Sequence, residues 1–133
     1  MSFLLDTDIC SFHLKQPSGL IHRFTQHSGG LYLSTIALAE LFTWAYRRKN
    51  PTALLQAIGR DLLSEVAILN LDSACAEEFG RLRGSLIQRG LQGSVPDLMI
   101  ASVALVHNLT LVTHNTADYR NISGLRLDDW LIP

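Results

Sequence analysis

Gly29-Gly30-Leu31-Tyr32-Leu33-Ser34-Thr35-Ile36-Ala37-Leu38-Ala39-Glu40-Leu41 holds a change of period that decides the fold class. Leu31–Ser34 reads as a short strand entered from a glycine pair. From Ile36 the apolar residues recur at helical spacing as far as Arg48, and Asn50-Pro51 stops the helix. The same switch recurs along the chain. Ser2–Leu5 reads as a strand ending at Asp6, and a polar, loosely helical stretch follows it to Gly29-Gly30. A helix is predicted over about Thr52–Leu63, and Val66–Leu69 is a third strand. Asp72 is the N-cap of a long helix to Arg89, with Cys75, Phe79, Leu82 and Leu86 on one face. Gly90–Gly93 breaks it. Ser94-Val95-Pro96-Asp97 then opens a helix, apolar nearly all round, to about His107. Leu109–Val112 is a further strand and Leu125–Leu127 a short last one. Strands alternating with helices predict an α/β domain with a central, mostly parallel sheet of roughly four to five strands flanked by helices. Ligands of such sheets gather beyond the carboxyl ends of the strands, where Asp6 and the Thr113–Asp118 loop fall.

The 133 residues suit one domain spanning the whole chain. Apolar residues make up 47% and charged residues only 17%, which excludes a disordered chain and a coiled coil. No apolar run approaches the ~18 residues of a membrane span. The opening MSFLLDTDIC has no basic leader and is interrupted by Asp6 and Asp8, so the expected location is the cytoplasm, with Cys10 and Cys75 as reduced thiols. A net charge of −1 excludes a polycation. The nine arginines against two lysines, Lys15 and Lys49, suit a partner rich in phosphate or carboxylate. Low charge with positive mean hydropathy predicts apolar surface covered by another chain. Cys10-x-x-His13 is half a zinc motif with no second half.

The chemistry is carried by isolated acids. From Met1 to Leu14 the only ionised side chains are Asp6 and Asp8; between Arg23 and Arg47 the only one is Glu40; from Gly90 to Ala117 the only one is Asp97. Carboxylates are seldom buried unpaired, because leaving water costs several kcal/mol, and no Lys or Arg stands nearby in sequence to pair them. Brought together at one end of a sheet, they repel unless a cation sits among them. A group of hard oxygen ligands suits Mg²⁺ or Mn²⁺. Each acid also has an ordinary structural role open to it. Asp97 stands where a capping box from Ser94 would place it, Asp6 can close a strand by bonding turn amides, Glu40 lies near a helix N-terminus, and Asp118 can be a surface loop acid. The joint placement is what favours a site. His114 reads as a loop residue before a general base, and Trp44 and Tyr46 as core or interface before a base-stacking platform. No phosphate-cradling glycine loop, nucleophile-elbow serine or zincin helix is present.

These residues together resemble a PIN-domain ribonuclease of the bacterial VapC toxin type over nearly the whole chain. The matching fragments are Phe3-Leu4-Leu5-Asp6-Thr7-Asp8-Ile9, Leu31 to Leu41, Pro96-Asp97-Leu98-Met99-Ile100-Ala101-Ser102, Leu111 to Tyr119 and Gly124 to Trp130. Each is short; four or more in this order at this spacing is a strong signal. The resemblance implies a homodimeric, metal-dependent endonuclease that cuts RNA and is held inactive by a cognate antitoxin protein. It implies Asp6, Glu40 and Asp97 as the acidic positions, with Asp6 and Asp97 holding Mg²⁺ most directly and Glu40 acting through water. The family often carries a further Asp two residues after the threonine that ends the fourth strand. Asn115 stands there in this chain, and Asp118 three residues on is expected to supply the charge. Thr7, Thr113 and Asn115 are expected to support these ligands or contact substrate phosphate.

Two other readings compete. Asp6-Thr7-Asp8 after a strand resembles the opening motif of haloacid-dehalogenase-like phosphatases, with Asp6 as nucleophile and Ser34 or Thr35 as a second motif. Those enzymes need a later Lys, and none follows Lys49; Asp128-Asp129 lies too near the C-terminus to serve as their late acidic pair. The second is a catalytically silent module of the same fold that binds RNA or protein. Its retention of Asp6, Glu40 and Asp97 argues against it, and a metal-dependent cleavage assay separates the two.

Overall fold

The computed structural model describes residues 1–132. Five parallel strands form one sheet: β1 (Phe3–Leu5), β2 (Leu31–Ser34), β3 (Ala67–Leu69), β4 (Thr110–Val112) and β5 (Leu127–Asp128). Their spatial order is β3-β2-β1-β4-β5. Six helices flank them: α1 (Thr7–Lys15), α2 (Pro17–Gln26), α3 (Thr35–Tyr46), α4 (Thr52–Ala57), α5 (Ser73–Gln88) and α6 (Val95–Val106). Among the described residues no helix is long and apolar enough to cross a membrane.

β1 is central because Phe3-Leu4-Leu5 is an unbroken apolar run, as a strand covered on both faces requires. All three residues are buried, with Leu4 and Leu5 fully inaccessible. Phe3 pairs with Leu31 on one side and Thr110 on the other, and Leu5 pairs with Val112. Ile9, Leu33, Leu41, Ile100 and Leu111 complete the middle of the core, each at 0% exposure. The chain steps from β1 to β2 and β3 in one direction, then crosses to β4 and β5 on the other side of β1. The order therefore reverses between β1 and β4, where a crevice opens at the carboxyl ends.

Three helices start at this edge, each behind a side-chain cap. Asp6 caps α1, Ser34 Oγ accepts the Ala37 amide at the start of α3, and Ser94 Oγ accepts the Asp97 amide at the start of α6. The stretch expected to be loosely helical is two helices, because Pro17 has no amide to continue α1 and opens α2 instead. The segment Thr52–Leu63 is helical as expected, but from Ile58 to Leu63 it widens to π-helical winding. The last strand lies later than expected, at Leu127–Asp128. Gly124 turns the chain at φ 82, and the Leu111 amide then bonds the Arg126 carbonyl to set the register.

α5 ends in a Schellman turn. The Leu91 amide reaches the Leu86 carbonyl at 2.8 Å and the Gly90 amide reaches Ile87 at 3.0 Å, with Gly90 at φ 70. This turn aims the chain back toward Asp97. A Cβ on Gly90 would meet no atom within 4 Å, so only the left-handed backbone resists substitution. Gly90→Ala is expected to cost about 1 kcal/mol in chemical denaturation.

Candidate active site

Asp6 follows β1 directly and its amide donates to the Val112 carbonyl of β4 at 2.9 Å, which pins it in the crevice. The residue is only 6% exposed. It accepts the Thr7 amide at 2.8 Å, the Thr113 hydroxyl at 2.8 Å and the Tyr119 hydroxyl at 2.9 Å. Thr113 comes from the residue after β4, so both sides of the switch point meet on one carboxylate. Asp8, on the first turn of α1, stands beside Asp6. It accepts the amides of Ile9 at 2.8 Å and His114 at 2.9 Å, and lies 3.4 Å from the Thr113 hydroxyl.

Asp97 is brought in by α6. Ser94 caps its amide, as the capping-box reading anticipates, but the carboxylate is not spent on the helix end: its Oδ1 lies 3.3 Å from the Tyr119 hydroxyl. One phenol thus faces Asp6 and Asp97 together. Glu40 approaches from α3, where its Oε1 accepts the Thr7 hydroxyl at 2.6 Å. Thr113 bonds Asp6 directly, Tyr119 links Asp97 to Asp6, and Thr7 links Glu40 to Asp6.

Asn115 and Asp118 are placed differently. The Asn115 amide donates to Thr113 Oγ1 at 3.1 Å, but its side chain is exposed. Asp118 is exposed on the 3₁₀ turn Thr116–Tyr119, and among the described residues its carboxylate has no hydrogen-bond partner. The reason is geometric. With about three residues per turn, Tyr119 points inward and its neighbour Asp118 points away. The extra acid in the pocket is Asp8. Asp8 was visible in the sequence as the second ionised residue of its stretch, and Tyr119 follows the Thr113–Asp118 loop, yet neither carried an expected role. His114 is turned outward onto Asp129, with Nδ1 2.9 Å from Oδ2.

Among the described residues no Lys or Arg pairs with Asp6, Asp8, Glu40 or Asp97. Burial and the neighbouring Asp8 push the Asp6 carboxyl up to about 6, against the bonds from Thr113, Thr7 and Tyr119 that favour its ionised form. Burial raises Asp8 as well. Burial and the nearby Asp6 and Asp97 hold the Tyr119 phenol protonated. The pocket is a set of hard oxygen donors with uncompensated negative charge, which fits a divalent cation. No three of its carboxylates bring oxygens within 4.8 Å of one another; the hydroxyls of Thr7, Thr113 and Tyr119 stand between them. Tyr119→Phe removes the one buried hydroxyl donor that stands between Asp6 and Asp97. It is expected to lower the stability of the metal-free chain by about 1–2 kcal/mol in urea titration.

A groove of about 450 Å³ leads away from the pocket between α1 and α3, lined by Thr7, Ser11, Lys15, Glu40, Trp44 and Arg47 among others. At its far end Lys15 and Arg48 lie over the Trp44 ring, 5.3 and 5.4 Å from its centroid.

The PIN domain family model matches residues 3–125. The chain is 34% identical over 131 residues to a tRNA(fMet)-specific endonuclease VapC of Shigella flexneri, covering 98% of each chain. Its structure is similar to that of DNA-bound VapBC from Salmonella typhimurium, with TM-score 0.90, 31% identity and 98% of each chain covered. It is also similar to VapBC2 from Rickettsia felis bound to a promoter DNA fragment, with TM-score 0.91, 31% identity and coverage of 98% and 99%.

Proposed function

The chain belongs to the PIN-domain family, and from that membership we propose that it is the ribonuclease toxin of a VapBC-type pair, cutting RNA until a cognate antitoxin closes its acidic pocket. The observation that carries the reading is the buried Asp6, held between Asp8 and Asp97 with no cation among the described residues paired to it. PIN-family membership makes a divalent metal the natural counter-charge, and Mg²⁺, with Mn²⁺ as substitute, is our choice of ion. Asp6 and Asp97 would hold it, with Asp8 adjacent and Glu40 reaching it through water. A divalent ion in such a place lowers the pKa of water and offsets charge on a phosphodiester in its transition state.

The chain's own groups have distinct tasks. Thr113 and Tyr119 fix the Asp6 carboxylate by donating to it. Thr7 ties Glu40 to the start of α1, which positions its free carboxylate oxygen to orient an attacking water and accept a proton from it. Lys15 and Arg47 give the groove two cations for flanking phosphates. Transfer RNA is the first substrate to try, since the Shigella flexneri and Salmonella typhimurium relatives are named for tRNA(fMet). An antitoxin that silences the pocket would place a cation there, with Arg favoured by its two-pronged geometry. We further propose a cytoplasmic homodimer of one-domain subunits, to be checked by light scattering.

The test is cleavage of purified transfer RNA by the purified chain with Mg²⁺, with Mn²⁺ and with EDTA. Cleavage that survives EDTA would remove the metal from the reading, and its absence under all conditions would leave the silent binding module. Asp8→Asn is expected to weaken Mn²⁺ binding at least about tenfold in calorimetry by removing an adjacent charge. Asp118→Asn is expected to change it by less than about twofold, as for an exposed acid outside the hydrogen-bond network.

A further inference from the structure

We propose that Asp72, Cys75 and His107 form a second metal site, for zinc, that ties the start of α5 to the end of α6. Each of the three offers one ligand atom, and these atoms lie within 4.8 Å of one another. The donors are a thiol sulfur, an imidazole nitrogen and a carboxylate oxygen. That mixture is unlike the all-oxygen pocket and is the one zinc takes, with three protein ligands leaving a fourth position for water.

The placement follows from the fold. Asp72 caps α5 by accepting the Cys75 amide at 3.0 Å, so the two residues share one face of its first turn. Cys75 is fully buried, and its sulfur lies 3.9 Å from the Asn70 carbonyl and beside the Asp72 carboxylate. His107 ends α6, which packs against α5 and brings this end beside the first turn of α5. Among the described residues the His107 ring has no hydrogen-bond partner, although it faces a carboxylate and a thiol. A tetrahedron around zinc has edges of roughly 3.5 Å. Rotation of the exposed Asp72 and His107 side chains closes the remaining gap onto the fixed sulfur. On binding, a sulfur–zinc bond forms and the thiol proton passes to solvent. The site is separate from the acidic pocket: Asp97 lies in the first turn of α6 and His107 follows its last, about 15 Å along the axis at 1.5 Å per residue.

Co²⁺ and Zn²⁺ titrations of the purified, EDTA-stripped chain test this. One equivalent of Co²⁺ is expected to give tetrahedral bands in the visible and a sulfur-to-cobalt charge-transfer band in the near ultraviolet, and Zn²⁺ should displace both. Cys75→Ser should abolish the charge-transfer band, whereas Cys10→Ser and Asp97→Asn should keep it. His107→Gln, at an exposed ring, should fold normally and weaken Zn²⁺ by more than about tenfold, since even the outer partners of a ligand are worth that much. A weak octahedral spectrum with no sulfur band would overturn the site, as would a sulfur band that survives Cys75→Ser. Should Cys75→Ser not fold, unchanged Zn²⁺ affinity in His107→Gln overturns it by itself.

Discussion

Asp6→Asn should abolish RNA cleavage and, in metal-free buffer at neutral pH, give a protein that melts higher than the parent. The two effects have one cause. A carboxyl with an ordinary value of 3.8 is pushed to about 6 in the fold, so its ionised form is disfavoured there by up to about 3 kcal/mol. Below about pH 4 the group is protonated in both folded and unfolded chains, and it makes no difference to stability. As pH rises from there to about 6, the unfolded chain sheds the proton while the folded chain keeps it, so folded-state stability falls. Above about 6 the deficit is constant. Asn carries no charge and escapes this loss, though it forgoes part of the bonding from Thr113 and Tyr119. Thermal melts of both proteins in EDTA at pH 4 and pH 8 check it: the gap should open with pH and shrink when Mg²⁺ or Mn²⁺ is added to the parent. A gap independent of pH would show that Asp6 is not the strained group.

Asp97→Asn should produce the second large effect, on cleavage and without the gain in stability expected of Asp6→Asn. Cleavage should fall on the order of a hundredfold or more, because a metal supplies several kcal/mol of transition-state stabilisation and each 1.4 kcal/mol is tenfold. Stability should barely change. Asp97 is half-exposed at the first turn of α6, its amide stays capped by Ser94, and Tyr119 keeps Asp6 as acceptor. Rates on transfer RNA at saturating Mg²⁺, beside a melt of the same sample, separate lost chemistry from lost fold. Full activity in a folded Asp97→Asn protein would remove this residue from the centre.

Asp6, Glu40 and Asp97 were legible in the sequence for a physical reason. Each is an acid in an apolar setting without a nearby cation, an arrangement that is costly unless something pays for it. The strand–helix alternation was legible for the same kind of reason, since period 2 and period 3.6 leave different traces. Asp8 was harder. Had the strand run on through Asp6, alternation would have kept Asp6 and Asp8 on one face; the helix starts at Thr7 instead, and only the cap geometry shows that both acids stay at the edge. Tyr119 was hidden because its direction depends on a single 3₁₀ turn with no periodic signature, and the same turn sends Asp118 outward. The split at Pro17 was readable from proline chemistry. The late start of β5 depended on a register set by backbone pairing with β4.

The hydrogen bonds that complete the pocket span nearly the whole chain: 107 residues separate Thr113 from Asp6, and 113 separate Tyr119 from it. A polypeptide emerging from the ribosome therefore carries Asp6, Asp8 and Glu40 long before it carries the strand that seats them. β1 has only one neighbour until Thr110–Val112 is made, and Asp6 has neither Thr113 nor Tyr119 to orient it. With Asp6 in the role proposed for it, the nascent chain is expected to show no cleavage while it is being translated. On that assignment activity is expected only near the end of synthesis, when the surface for the proposed inhibitor is complete as well.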